Sequence, residues 1–326
     1  MRGNAAMTVR GLVLVVSSLI AGVAGAEVHA IDDAGHTVRL SHPARRIVSL
    51  APHVTELLFA AGAGSRVVGT AAYSDYPAAA KAIPRIGDSS QLDLERIVGL
   101  KPDLIVVWRN GNSAQQLQRL SALGIPMYAT ESRELTGIAS TLRRLGTLTG
   151  TELAAQERAS AFERNIAALR ERYAGRREVR VFYQIWHRPL LTLNSSHLIS
   201  QALELCGARN VFAGLALLTP PVSVESVVQA DPEAILTGSV DPKGPDNLDT
   251  WRRLGSLRAT RLGNLAVVDP DKLHRQSDRI AEGVLELCEA LDAVRARTAA
   301  GGSKGPQAVM PGGSHRPVTG SAAATP

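Results

Sequence analysis

Aromatic side chains make up only 4% of this 326-residue chain: three Trp, five Tyr and four Phe. So few rings leave little surface for stacking bases, which argues against single-stranded nucleic acid as a partner. Cysteine occurs twice, so one internal bridge at most can form. Gly301-Gly302-Ser303-Lys304-Gly305 matches Gly-x-Ser-x-Gly but follows no strand pattern, so it makes no nucleophile elbow, and no His-Glu-x-x-His pair appears; two common hydrolytic signatures are thereby removed. The glycines of Gly62-Ala63-Gly64-Ser65-Arg66-Val67-Val68-Gly69 follow a helical pattern and not a strand, so they make no dinucleotide loop. His29, His36, His42, His197, His274 and His315 show no metal-ligand spacing. A zinc or manganese carrier needs three or four convergent His and acidic ligands, and no metal site is expected here.

The charge of +6 is concentrated at the two ends. Residues 1–26 carry Arg2 and Arg10 and no acid, and residues 300–326 carry Lys304 and Arg316 and no acid, which leaves the rest near +2. That is no electrostatic footprint for nucleic acid. Arg2 and Arg10, the apolar run Gly11 to Val23 and Ala24-Gly25-Ala26 have the order of a signal peptide. The run is too short for a comfortable membrane span. Cleavage after about Ala26 and export to the periplasm are expected. Residues 300–326, rich in Gly, Ser, Pro and Ala, read as a disordered tail. Cys206 and Cys288 each sit late in a helix-periodic stretch. In an oxidising compartment an even count reads as a disulfide, with two buried free thiols as the alternative.

From Arg46 onward, strands alternate with helices, which means a parallel sheet. A strand at Ile47–Leu50 leads through the loop Ala51-Pro52-His53 to a helix from Thr55, and further strands lie near Val67, Leu104 and Met127. The same order restarts at Val179, with strands near Val211, Ala234 and Leu265 and a final helix over Arg279–Arg297. Thr151 to Ala174 lack Gly and Pro, and Phe162, Ile166, Leu169 and Tyr173 recur at helix period. About 24 helical residues span roughly 36 Å. The expected fold is therefore α/β: two Rossmann-like lobes with parallel sheets, over 27–150 and 176–299, joined by one long rigid helix over 151–175. Lobe motion should be small.

One phrase is written twice. Leu94-Glu95-Arg96-Ile97-Val98-Gly99-Leu100-Lys101-Pro102-Asp103-Leu104-Ile105 aligns with Val224-Glu225-Ser226-Val227-Val228-Gln229-Ala230-Asp231-Pro232-Glu233-Ala234-Ile235. Each copy reads as a short helix that opens with Glu, stops at Pro and feeds a buried strand. A carboxylate is favoured in the first turn of a helix. Glu95 and Glu225 are thus either caps of their own helices or a matched pair of anionic knobs presented to one partner.

Ligands of such folds bind outside the carboxyl ends of the strands. The loops there hold Ala51-Pro52-His53, Tyr73-Ser74-Asp75-Tyr76, Trp108-Arg109-Asn110-Gly111, Trp186-His187-Arg188-Pro189 and Asp271-Lys272-Leu273-His274-Arg275. Three loops bearing rings, in a ring-poor chain, point to a large flat ligand. Tyr73, Trp108, Trp186, His187, Asp271 and Arg275 are the candidate ligand contacts. Trp108 could instead be a core aromatic, Arg275 the partner of a neighbouring carboxylate and Asp271 a helix cap. His53 reads as a solvated loop residue.

Tyr73-Ser74-Asp75-Tyr76-Pro77, Leu94-Glu95-Arg96-Ile97-Val98, Leu100-Lys101-Pro102-Asp103-Leu104, Trp108-Arg109 with Gly111-Asn112, and Leu203-Glu204-Leu205-Cys206-Gly207 with Asn210-Val211-Phe212 carry a family resemblance. The chain resembles the helical-backbone class (class III) of ABC-transporter substrate-binding proteins, and within it the cobalamin binders, over roughly residues 45–295. The resemblance implies that Glu95 and Glu225 dock on arginines of an inner-membrane permease dimer, and that Cys206 and Cys288 are paired. It places Tyr73, Trp108, Asp271 and Arg275 where that branch touches its corrinoid. Ser89 and, approximately, Thr219 stand where the branch has tryptophan, so cobinamide or another large chelate stays open beside cobalamin. Haem, bound through Tyr73 or Tyr76, and ferric siderophore are the alternatives within the class. An exported enzyme is the remote one; no catalytic residue is assigned.

Overall fold

The computed structural model describes residues 27–88, 91–238 and 247–300. The leader, Ser89 and the tail from Gly301 onward lie outside them. In the first lobe Ile47–Ser49 is flanked in parallel by Val67–Thr70 and Leu104–Trp108, and Met127–Thr130 forms the far edge. In the second, Val179–Gln184 is flanked by Ala208–Asn210 and Ala234–Thr237, with Leu265–Val267 at the edge. The two sheets share one strand order, with the first strand of each lobe second from the edge. Parallel strands covered on both faces should be apolar throughout, and Leu104 to Val107 and Val181 to Tyr183 are all buried.

The helix Glu152–Tyr173 links the lobes, and it buries Ala155, Ala159, Phe162, Ile166, Leu169 and Tyr173. At 1.5 Å per residue it is about 33 Å long. The helix before it, Leu135–Thr149, ends on Gly150 in the left-handed conformation (φ 60°), and the chain then reverses. The two helices approach closely: a Cβ on Gly146 would lie 2.4 Å from that of Ala155. Burying a large apolar side chain such as Phe162 or Ile166 contributes roughly 1.5–3 kcal/mol.

Successive residues of a strand face opposite ways. Ile47, Leu104 and Val106 join one apolar cluster that continues through Phe162 and Ile166 to Val181, Tyr183 and Leu236. Their neighbours Val48, Ile105 and Val107 belong to a cluster private to the first lobe. Phe182, Ile235 and Trp251 belong to one private to the second. The spine helix thus runs through a single core shared by both lobes.

Four local differences from the sequence reading stand out. The helix expected from Thr55 starts at Pro52 (Pro52–Ala60), because Pro is well suited to a first helical turn. His53 is therefore helical and buried, not a solvated loop residue. The strand expected at Val211 is Ala208–Asn210, directly after Gly207 (φ 71°). An antiparallel hairpin, Val28–Ile31 with Thr37–Leu40, precedes the first lobe, and the Asp33 carboxylate fastens it by pairing with Arg144 at 2.5 Å. A second hairpin, Trp186–His187 with Leu190–Leu191, rises where a loop was expected.

Cys206 and Cys288 are bonded, with Cα atoms 4.9 Å apart. They tie the end of helix Leu198–Leu205 to the last helix, Ile280–Ala299. A loop of 82 residues corresponds to roughly 4–5 kcal/mol of stabilisation in the chain-entropy picture. Replacing both cysteines with serine should lower the thermal midpoint by roughly 10 °C. A scan in which the double variant melts with the parent would refute that estimate.

Candidate functional site

The candidate site is the junction between the carboxyl ends of the two sheets. Ser74 anchors its first-lobe wall: the side chain is fully buried and accepts a hydrogen bond from the Thr55 hydroxyl at 3.0 Å. With Ser74 held inward, Tyr73 and Tyr76 turn outward on either side. Tyr73 is 78% exposed and adopts φ 63°, a region that non-glycine residues rarely occupy. Tyr76 receives the Arg279 guanidinium over its ring, 3.8 Å from the centroid.

Trp108 is half-buried, and its backbone amide donates to Asn112 Oδ1 at 2.8 Å. The indole lies against the Gly111 backbone, where a Cβ would come within 1.8 Å of the ring. Its other neighbour is His53, edge-on at 5.2 Å. Trp108 is thus partly core and partly floor of the junction. Burial, and then the charge of Arg275, depresses the His53 pKa to about 3.

On the second-lobe wall, Trp186 and His187 are exposed neighbours on the small hairpin, their rings 5.5 Å apart. The segment after Asn210 runs beside them: Asn194 N donates to Leu218 O, and Val222 N donates to Leu190 O. Leu215, Leu217 and Leu218 on that segment are exposed, as is Thr219. Among the described residues, eleven large apolar side chains are exposed, and six of them (Tyr73, Tyr76, Trp186, Leu215, Leu217 and Leu218) lie on these cleft loops. Exposed apolar patches of this kind mark binding surfaces.

Arg275 and Asp271 are ion-paired to each other at 2.8 Å. Asp271 caps nothing; Asp269 caps the short helix Pro270–Leu273. Arg275 also crosses to the first lobe, where it meets Glu56 at 2.7 Å and Asp75 at 3.1 Å. Glu56 is only 2% exposed. It receives Arg279 at 3.0 Å and the Ser277 hydroxyl as well. Burial pushes its carboxyl above the ordinary range, against the hydrogen bonds from Ser277 and Arg275 and the two positive charges. Burial also works against the Arg275 charge, but Glu56, Asp271 and Asp75 outweigh it and raise the Arg275 pKa. Two guanidiniums and the Ser277 hydroxyl thus converge on the one Glu56 carboxyl group. The sequence reading missed Glu56, Ser277 and Arg279. The available signal was an acid inside the run Val54-Thr55-Glu56-Leu57-Leu58, since a Glu in an apolar helix is seldom buried unless paired.

Glu95 and Glu225 are exposed in the first turns of Leu94–Gly99 and Val224–Ala230. The helices are capped chiefly by Asp93, which accepts from Arg96 N, and Ser223, which accepts from Ser226 N. Glu225 adds bonds to its own amide and to Ser223, which hold its carboxyl below the ordinary range. Val98 and Val228, three residues beyond each Glu, are both exposed. Lys101 (φ 48°) and Asp231 (φ 39°) make the same left-handed turn before Pro102 and Pro232. Each helix begins near the cleft end of its sheet: Asp93 N bonds Ile86 O and Ile86 N bonds Thr70 O, while Val222 N bonds Leu190 O.

Among the described residues, no group of three or more His, Cys, Asp or Glu is arranged to hold a metal ion, and no helix is long and apolar enough to cross a membrane. A cavity of about 600 Å³, lined by Asp32, Arg39, Arg109 and Met127 among others, lies beside the edge strand of the first lobe.

A family model described as periplasmic binding protein matches residues 47–272. A vitamin B12-binding protein of Vibrio parahaemolyticus is 31% identical over 255 residues, covering 78% of this chain and 92% of that protein. One from Yersinia pestis is 34% identical over 255 residues, covering 77% and 88%. Among solved structures, the periplasmic vitamin B12 binding protein BtuF of Vibrio cholerae matches with a TM-score of 0.71 at 33% identity, over 78% of this chain and 98% of that one. The periplasmic heme-binding protein RhuT from Roseiflexus matches at 0.68 and 25%, over 77% and 98%.

Three histidines, His53 buried and His197 and His274 half-buried, make the fold acid-sensitive. The His53 pKa falls from about 6.5 in the unfolded chain to about 3. Its contribution to stability is complete above about pH 6.5 and is lost, at about 1.4 kcal/mol per pH unit, as pH falls toward 3. His197 and His274, each lowered to about 4 chiefly by burial, act in the same direction. Urea unfolding should thus show lower stability at about pH 5 than at about pH 7, with a shallower fall in His53→Gln. An equally steep fall in that variant would count against His53.

Proposed function

The chain belongs to the periplasmic binding protein family, and on that premise we propose that it captures cobalamin or a related corrinoid in the periplasm and delivers it to the permease dimer of an ABC importer. The observation that carries this is the gathering of exposed rings and leucines on both walls of one junction, in a chain with 4% aromatic residues. A broad planar ligand with amide arms needs apolar faces and a few polar groups at the rim. Tyr73, Trp186 and the leucines supply the faces; His187, Asp271, Asp75 and the outer side of Arg275 supply the rim. Trp108 supports the floor. That the relatives are vitamin B12-binding proteins favours the same ligand class.

The stages are export, capture, docking and release, with no covalent step. Residues 1–26 direct export and are removed after about Ala26. The shared core along the spine limits lobe movement, so capture takes place in a cleft already close to its final width. Glu95 and Glu225, one per lobe and flanked by Val98 and Val228, then meet arginines on the two permease subunits.

Haem is the second reading, favoured by one observation. Tyr73 stands 78% exposed on the cleft wall, and a tyrosine oxygen there can ligate ferric iron.

Calorimetry of the purified protein against cyanocobalamin, cobinamide and haemin decides the ligand. The expected result is one-to-one binding of a corrinoid, weakened about tenfold (about 1.4 kcal/mol) by Tyr73→Ala or Trp186→Ala. Haemin binding with a Soret band that is lost in Tyr73→Phe, and no corrinoid heat, would replace the corrinoid by haem. The docking assignment is checked separately. Glu95→Lys combined with Glu225→Lys should abolish corrinoid uptake and permease binding while ligand affinity stays within about twofold. Normal docking by the double variant would end that assignment.

A further inference from the structure

Five consecutive residues, Arg275 to Arg279, form a polar seam toward the first lobe and the spine. Arg275 and Arg279 reach Glu56 at 2.7 and 3.0 Å. The Gln276 side-chain oxygen accepts from Ser132 N at 3.1 Å. The Ser277 hydroxyl donates to Glu56 Oε2, and Asp278 pairs with Arg158 of the spine helix. Glu56 is the hub. Its carboxylate is closed off from solvent, whereas the other acids around Arg275 are not: the side chains of Asp75 and Asp271 are 47% and 54% exposed. Arg275 thus has a buried inner anchor and two outer partners accessible to solvent.

We propose that Glu56 is a positioning residue of the ligand cleft: by holding Arg275 and Arg279 from the opposite lobe, it fixes the wall formed by Tyr73 and Tyr76 and keeps the outer face of Arg275 available to ligand hydrogen-bond acceptors. Two links connect Glu56 to that wall. Arg275 Nη2 donates to the Tyr73 carbonyl at 3.4 Å, at the residue with the left-handed backbone. Arg279 spreads its guanidinium over the Tyr76 ring. One carboxylate therefore orders both tyrosines through two arginines. The ligand chemistry that suits the outer face is an amide carbonyl, carboxylate or phosphate oxygen, which takes the place of Asp75 or Asp271 while Glu56 stays bound. The buried half of the network needs no rearrangement for this exchange, because a guanidinium carries five donors and Glu56 occupies only one side of it.

The ligand half of this proposal rests on the corrinoid reading; the ordering of the wall does not. In the ligand-free protein, Glu56→Gln should speed amide hydrogen exchange at residues 73–76 while leaving the strand Val179–Gln184 unchanged. Uniform acceleration across the chain, or none at residues 73–76, would overturn the proposal. Against cyanocobalamin, Glu56→Gln should weaken binding about tenfold, and the same change made in an Arg275→Gln background should cost less than about twofold more. Wild-type affinity in Glu56→Gln, or equal losses in both backgrounds, would overturn it as well. If Glu56→Gln does not fold, Ser277→Ala, which removes one donor from the hub, carries both comparisons with a loss of about threefold. A wild-type protein that takes up no corrinoid sinks the ligand reading alone and leaves the exchange experiment to judge Glu56.

Discussion

Apolar packing along one helix sets the distance between the two sheets, and the rest of the molecule is arranged around that distance. The spine Glu152–Tyr173 lies in a core continuous from Ile47 to Leu236. Separating the lobes would expose Phe162, Ile166 and their partners to water, which is costly in proportion to area. The shared core joins the lobes, and the cleft loops can carry exposed rings and leucines without having to hold the lobes together. Interlobe polar contacts then refine a spacing that apolar packing has already set.

The duplicated phrase illustrates how structural and functional residues are interleaved. Its Pro and the residue before it make the same left-handed turn in both lobes, through Lys101 and Asp231. Its second acid has a matching task in each copy: Asp103 accepts from the amides of Arg45 and Arg46, and Glu233 accepts from Arg180 N and pairs with Arg177. Both acids tie the start of a later strand to the first strand of their lobe. With those residues explained by folding, and capping done chiefly by Asp93 and Ser223, the exposed Glu and the exposed Val beyond it are the parts that architecture does not require.

The same sorting applies to the rings. Tyr73 and Trp186 look outward because their loops are pinned from beneath, by Ser74 in one case and by the Leu190–Leu191 partner strand in the other. Trp108 belongs to a loop of similar appearance, yet it folds back over Gly111 and His53. The small Gly111 makes room for the indole, and Asn112 closes the turn by accepting from the Trp108 amide. A loop read only by its rings cannot reveal which ring faces the ligand.

Local chemistry was legible without any structure. Helix period in Phe162–Tyr173, the alternation of strands and helices, the turn at each Lys-Pro or Asp-Pro step and the twofold phrase all depend on neighbours a few residues apart, so composition and spacing determine them. The pairing of the cysteines agrees with their even count in an oxidising compartment, while the strand order and the exposure of the two knobs are seen only in the folded lobes. What only the tertiary structure decided is the assembly of charges at the junction. Glu56 and Arg275 are 219 residues apart in the chain, and each alone is an ordinary ion with water as an adequate partner. Desolvation makes the contact obligatory, because a buried charge without a counter-charge is too costly to persist, and only the packed spine brings the two lobes close enough to exclude the water.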